Sequence, residues 1–178
     1  MAFLTGILVD EYGYLTGGED VFPVNVIDHD FRTPYPLFDG DPAFTWEPGE
    51  RGEPPNIFRH PEIRDWVCDD AAWSVLAAAG PDVRRLGGGH LGERPLHVVQ
   101  VVGLVTEVDP AASVRRDYGS YQVVEFPALY RDAEPAVRTR AFRVPGNYTS
   151  VFVGAAVKEA LDKAGIAGLS YTPLTFTG

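Results

Sequence analysis

Eight of the chain's 15 prolines lie in its first 70 residues, and they limit what that part can become. Proline fixes φ and removes a backbone donor. Pro34-Tyr35-Pro36, Asp41-Pro42 and Pro54-Pro55 therefore interrupt the chain every few residues, and no helical periodicity is sustained before residue 65. The apolar pieces 3–9 and 21–27 read as short edge strands between loops. Phe31, Tyr35, Phe38, Phe44, Trp46 and Phe58 sit among the prolines. That many large apolar groups predict a folded layer laid on a core, not a free tail.

Beyond Trp66 the signals become regular. Asp69 or Asp70 caps a helix over 71–79, where Ala72, Val75, Leu76 and Ala79 form one stripe and Gly80-Pro81 ends it. A strand is expected at 83–86, a turn at Gly87-Gly88-Gly89, and a long strand buried on much of both faces at 96–108. Further strands are expected at 121–126 and 139–144, with a turn or single helical turn at 126–131, where Pro127 intervenes. A strand at 150–153, a helix over 155–164 stopped by Gly165, and an alternating strand at 168–176 close the chain. The runs 66–86 and 151–174 share one plan: strand, small-residue helix, glycine stop, strand. The fold class expected is α+β, mostly antiparallel sheet with two short helices, preceded by a proline-rich, acidic strand and loop layer. At 178 residues one domain suffices, with that layer over 1–65 and the α+β core over 66–178.

Charge follows the same division. The net charge is −10, yet residues 1–70 hold 15 acids and 4 bases while 71–178 hold 10 acids and 11 bases. Such acidity opposes general nucleic-acid binding, which needs clustered Lys and Arg. One cysteine excludes a disulfide framework and a multi-thiolate zinc site. No apolar run reaches the ~18 residues of a membrane span. The opening MAFLTGILVDEYGY has no basic leader segment, so the cytoplasm is the expected compartment.

Motifs for catalysis are scarce. Gly87-Gly88-Gly89-His90-Leu91-Gly92 has the dinucleotide-binding spacing, but Glu93-Arg94-Pro95 and a valine run follow it where that motif needs a helix. Neither lysine precedes Ser or Thr, and no histidine pair has metal-ligand spacing. Asp28-His29-Asp30 offers two carboxylates and an imidazole for a metal or for acid–base work. In an extended backbone, however, both carboxylates share one face and the imidazole takes the other, as in a polar loop. His97, inside the valine strand, reads as a packed or hydrogen-bonded core residue. Cys68 stands before a helix, where a thiol can be activated, but its apolar neighbours favour an inert thiol. No catalytic residue, metal or cofactor is expected.

Several runs resemble a known family: WVCDDAAWSVLAAAGPDVRRL, LHVVQVVGLVTEVDP, YQVVEFPAL and SVFVGAAVKEALDKAGIAGLSYTPL. Their order over 66–176 is similar to bacterial immunity proteins of polymorphic toxin systems, in the family numbered eleven and its relative numbered forty-three. The resemblance implies a cytoplasmic α+β protein that binds and neutralises a cognate toxin, and it transfers no catalytic residue. Two departures stand out: Gly154 occupies a helix N-cap where family members carry Ser, and 1–65 lies outside the likeness. The toxin is expected to be basic, with nucleic-acid-directed toxins among the candidates. The expected contact residues are Asp28, Asp30, Asp39, Asp41, Glu47, Glu50 and Glu53, with Phe44 and Trp46 as aromatic anchors. Two alternatives stay open: a small hydrolase or transferase around Asp28, His29, Asp30 and His60, and a structural or adaptor protein. Nucleic acid and membrane are not expected partners, and the oligomeric state is not legible.

Overall fold

The computed structural model describes residues 1–18, 40–61 and 63–178. It is an α+β fold whose strands form three mostly antiparallel sheets. The first sheet has the order β10-β11-β1-β12: Ala141–Val144, Asn147–Gly154, Ala2–Ile7 and Leu169–Pro173. The second has the order β3-β2-β4-β5-β7-β6: Thr45–Glu47, Tyr14–Thr16, Ile57–His60, Ile63–Asp69, Arg94–Val101 and Val83–Leu91. The third, β13-β9-β8, comprises Thr175–Thr177, Gln122–Tyr130 and Val108–Asp117. Two nine-residue helices, α2 (Asp70–Ala78) and α4 (Ala155–Lys163), join two four-residue ones, α1 (Val9–Tyr12) and α3 (Glu134–Val137).

The two long helices start for different reasons. The Asp69 carboxylate accepts the Ala72 N–H at 2.9 Å and so caps α2, which gives way to Gly80 at φ +100°. At α4 the cap is Gly154, and backbone replaces the side chain: the Ala155 and Ala156 N–H groups donate to the Met1 and Arg138 carbonyls, each at 3.0 Å. A Cβ on Gly154 would stand 2.0 Å from the Val137 carbonyl oxygen. The serine of the resembled family has no room here.

Each helix links parallel strands with one strand between them. β5 and β6 flank β7 around α2, and β11 and β12 flank β1 around α4. Strand alternation then sorts side chains into three cores. Trp66, Cys68, Val99, Val101, Val151 and Val153 meet Ala72 and Leu76 of α2 and Val157 and Leu161 of α4 in the first. Val67, Val98, Phe58 and Leu15 face the second, and Phe142, Phe152 and Leu129 the third. The buried Arg143 ties the sheets together, donating to the Val101 and Ser150 carbonyls at 3.2 and 3.1 Å.

Several sequence expectations are corrected. Residues 3–9 are not an edge: β1 is an inner strand, paired on both sides. Of the described residues in the first third of the chain, β1, β2 and β4 belong to the two larger sheets. The three glycines do not turn; β6 runs through them, and the hairpin turn is Gly92-Glu93. A Cβ on Gly89 would come within 2.5 Å of the Phe44 ring, because residues 42–44 cross the edge of β6 there. The 96–108 strand ends at Val101, near Gly103, whose Cβ would meet the Ala141 carbonyl oxygen at 2.5 Å. β9 continues through Pro127, and 168–176 splits between two sheets as β12 and β13.

Gly154→Ala is expected to lower the unfolding free energy by about 1–3 kcal/mol, since the blocking atoms are backbone. Urea denaturation of the variant against the parent measures it, and no loss would contradict the packing at this cap.

Candidate functional site

The acidic residues gather where two remote segments are clamped together. After β1 the single turn of α1 presents Asp10 and Glu11, and Gly13 at φ +80° swings the chain into β2. β3 pairs with β2, setting Glu47 opposite Tyr14. Residues 48–52 then fold back on α1: the Glu50 and Arg51 N–H groups donate to the Asp10 and Glu11 carbonyls at 3.0 and 2.8 Å. The approach is so close that a Cβ on Gly49 would lie 2.5 Å from the Gly13 nitrogen. Arg51 seals the joint, its Nε 2.9 Å from Glu11 Oε2 and its guanidinium 5.0 Å over the Tyr12 ring. The hydrogen bond to Glu11, with the charges of Tyr12, Glu11 and Glu53, raises the Arg51 pKa above its ordinary value. The result is a ridge that gathers Asp10, Glu11, Glu47 and Glu50 around the Arg51 guanidinium, with Glu53 near enough to add its charge.

Of the expected contact set, Glu47, Glu50 and Glu53 are exposed here. Asp41 is exposed but stands elsewhere, 3.3 Å from His90 Nδ1. Phe44 is corrected: at 4% exposure it belongs to the second core and cannot anchor a partner. Trp46 is half-buried against the same core, and its indole N–H is engaged by the Tyr12 carbonyl at 2.8 Å. Asp28, His29, Asp30 and Asp39 lie outside the described residues. Asp10 and Glu11 stand outside the expected contact set because in sequence they only end an apolar run. The β2–β3 pairing is what brings them to Glu47 and Glu50.

The remaining reactive side chains are held in the framework. His60 is buried, with Nε2 2.9 Å from the Gly17 carbonyl and Phe44 edge-on to its ring. His97 is buried in β7, with Nε2 2.6 Å from Asp70 Oδ1 and Trp73 tilted against it. Burial pushes the Cys68 thiol far above its usual range, and the Asp69 and Asp70 charges push the same way. Burial also opposes the charge of Asp69. The Ala72 N–H, Arg94 and Asn56 outweigh that effect and hold its carboxyl below the usual range.

A pocket of about 310 Å³ opens between β1 and β11, with Thr5, Ser150, Trp66 and Arg59 among its walls. Its polar groups are engaged locally, Thr5 with the Val151 carbonyl and Arg59 with that of Ile63. Among the described residues, no group of three or more His, Cys, Asp or Glu side chains could hold a metal ion. Among them, too, no helix is long and apolar enough to cross a membrane. Compared with known proteins, the chain matches no protein-family model and no curated protein.

Two outcomes follow from this chemistry. Native protein should leave Cys68 unmodified by a thiol reagent at mildly alkaline pH and expose one reactive thiol per chain on denaturation; rapid native labelling would contradict its burial. Asp69 has a depressed folded pKa, so its charge stabilises the fold above the ordinary carboxylate value and that contribution is lost as pH falls through the folded one. Asp69→Asn keeps a capping oxygen and should flatten the acid limb of the stability curve below about pH 4. Unfolding measured between neutral and strongly acidic pH checks it.

Proposed function

We propose that the chain is a bacterial immunity protein, a cytoplasmic inhibitor that binds a cognate toxin and blocks it without chemistry of its own. The observation that carries the reading is the clamped ridge. Asp10, Glu11, Glu47 and Glu50 are held by backbone hydrogen bonds before any partner arrives, and the exposed Glu53 adds its charge beside Arg51. A preordered surface loses little conformational entropy on binding. A concentrated negative field also attracts a basic partner over about 8 Å at physiological salt and speeds encounter. A cleft that binds nucleic-acid phosphates is basic, and a row of carboxylates on a rigid backbone can occupy it in their place. The likeness of the strand–helix–strand runs to the immunity family supports the same reading.

The test is co-expression with a toxin domain encoded beside this chain. Rescue of growth and isolation of a stable complex are expected; neither occurring sinks the inhibitor reading. Reversing Asp10, Glu47, Glu50 and Glu53 to lysine while sparing Glu11, which holds Arg51, tests the surface. Association at low salt should slow by about tenfold or more and lose most of its salt dependence. Unchanged association kinetics with the cognate toxin would remove the ridge from the interface.

A further inference from the structure

The β8–β9 hairpin holds five of the seven large hydrophobic residues exposed among the described residues: Val114, Tyr118, Tyr121, Phe126 and Tyr130. Among the described residues, its outer strand, β8, has a neighbour on one side only. The edge of β6, by contrast, is crossed by residues 42–44, and β10 is bridged by Leu104. An open edge with an apolar face is a template for another strand.

The register of the hairpin shows which groups β8 offers. The Tyr118 N–H donates to the Tyr121 carbonyl at 3.0 Å, so 118 and 121 are a hydrogen-bonded pair. Alternation in an antiparallel ladder makes Arg116 and Val123 bonded and leaves Asp117–Gln122 and Arg115–Val124 as non-bonded pairs. Consistent with this, the Val124 N–H turns away to the Gly146 carbonyl at 3.0 Å. Arg115 and Asp117 therefore direct their N–H and C=O groups outward.

We propose that two copies of this chain pair antiparallel along β8, about a two-fold axis at Arg116, with Arg115 of each copy opposite Asp117 of the other. An added antiparallel strand must set outward-facing residues against outward-facing residues. With two-fold symmetry over 115–117, the axis falls at Arg115, Arg116 or Asp117. The first opposes two guanidiniums and the last two carboxylates. Only the axis at Arg116 gives two opposite-charge pairs, Arg115 with Asp117 twice, and the Arg116 pair that it sets together at the centre carries a Glu125 partner on each copy. On the other face Val114 meets Tyr118 of the second copy, twice, and the two are 53% and 50% exposed. Tyr118 is already fixed, stacked on Tyr121 at 5.2 Å. Arg116, at the axis, has its charge balanced by Glu125 at 3.0 Å. On a chain of net charge −10, residues 114–121 carry two arginines and one aspartate, so this edge is not part of the excess of negative charge.

Sedimentation equilibrium of the full chain over a range of concentrations tests the pairing, and it needs no toxin. Wild type should show a monomer–dimer equilibrium. Arg115→Asp and Asp117→Arg should each weaken dimerisation about tenfold or more. Mixing the two variants should restore a heterodimer, since both cross-strand positions regain opposite charges. Arg115→Pro removes an outward N–H without touching the β8–β9 ladder and should give a monomer with an unchanged circular dichroism spectrum. A wild type that stays monomeric, a dimer that survives both charge variants, or folded variants that fail to heterodimerise would overturn the proposal. Asp117 also accepts the Gly119 N–H, so folding of each variant is checked first. If Asp117→Arg does not fold, Arg115→Pro decides: a persistent dimer refutes the pairing and a monomer supports it.

Discussion

The structure depends on one contact, the burial of α2 and α4 in a common core. Ala72 and Leu76 on one helix and Val157 and Leu161 on the other occupy matching places before Gly80 and Gly165. Once those stripes face inward, the strands that feed them have no freedom of phase. Trp66 and Cys68 must point with α2, and Val151 and Val153 with α4, which turns Val67 and Phe152 toward the outer cores. A slip of one residue in β5 or β11 would exchange whole faces. Each unit also needs a strand between the two that its helix connects. β7 supplies it locally in one unit; in the other it is β1, from the opposite end of the chain.

The parts legible from sequence are those governed by local physics. Both long helices were readable because caps, stripes and glycine stops act within a few residues. Strand limits were less so, because Gly and Pro mark turns only when nothing distant overrides them. Gly89 sits inside β6 since the Phe44 ring lies on it. Pro127 survives inside β9 because the ladder is already broken opposite it, where β8 bulges between Asp109 and Val114. There Ser113 accepts the Ala128 N–H and donates to the Asp109 carbonyl, replacing the missing backbone partner.

The candidate surface was half legible for a related reason. Counting charge located the acids in the first 70 residues but could not say which of them share a face. Glu47 and Glu50 come to Asp10 and Glu11 because β2 pairs with β3 and the Glu50 and Arg51 N–H groups bond back to α1. Of the aromatics among the prolines, the described Phe44, Trp46 and Phe58 do pack in the second core, but packing and exposure are opposites. Phe44 was read as an anchor and instead fills the core beneath the ridge's own sheet.

The ridge and the β8 edge would act through different physics, and ionic strength separates them. The ridge would attract at a distance through the exposed carboxylates of Asp10, Glu47, Glu50 and Glu53, so salt would weaken it. The edge works at contact through backbone hydrogen bonds and apolar side chains, with Arg115 and Asp117 selecting the register. Exposed ion pairs of that kind add little net energy, so screening removes little. Screening also reduces the repulsion between two chains of charge −10. The proposed ridge contact and the proposed edge pairing therefore differ in their salt dependence, because the chain's excess of carboxylates is confined to its first 70 residues.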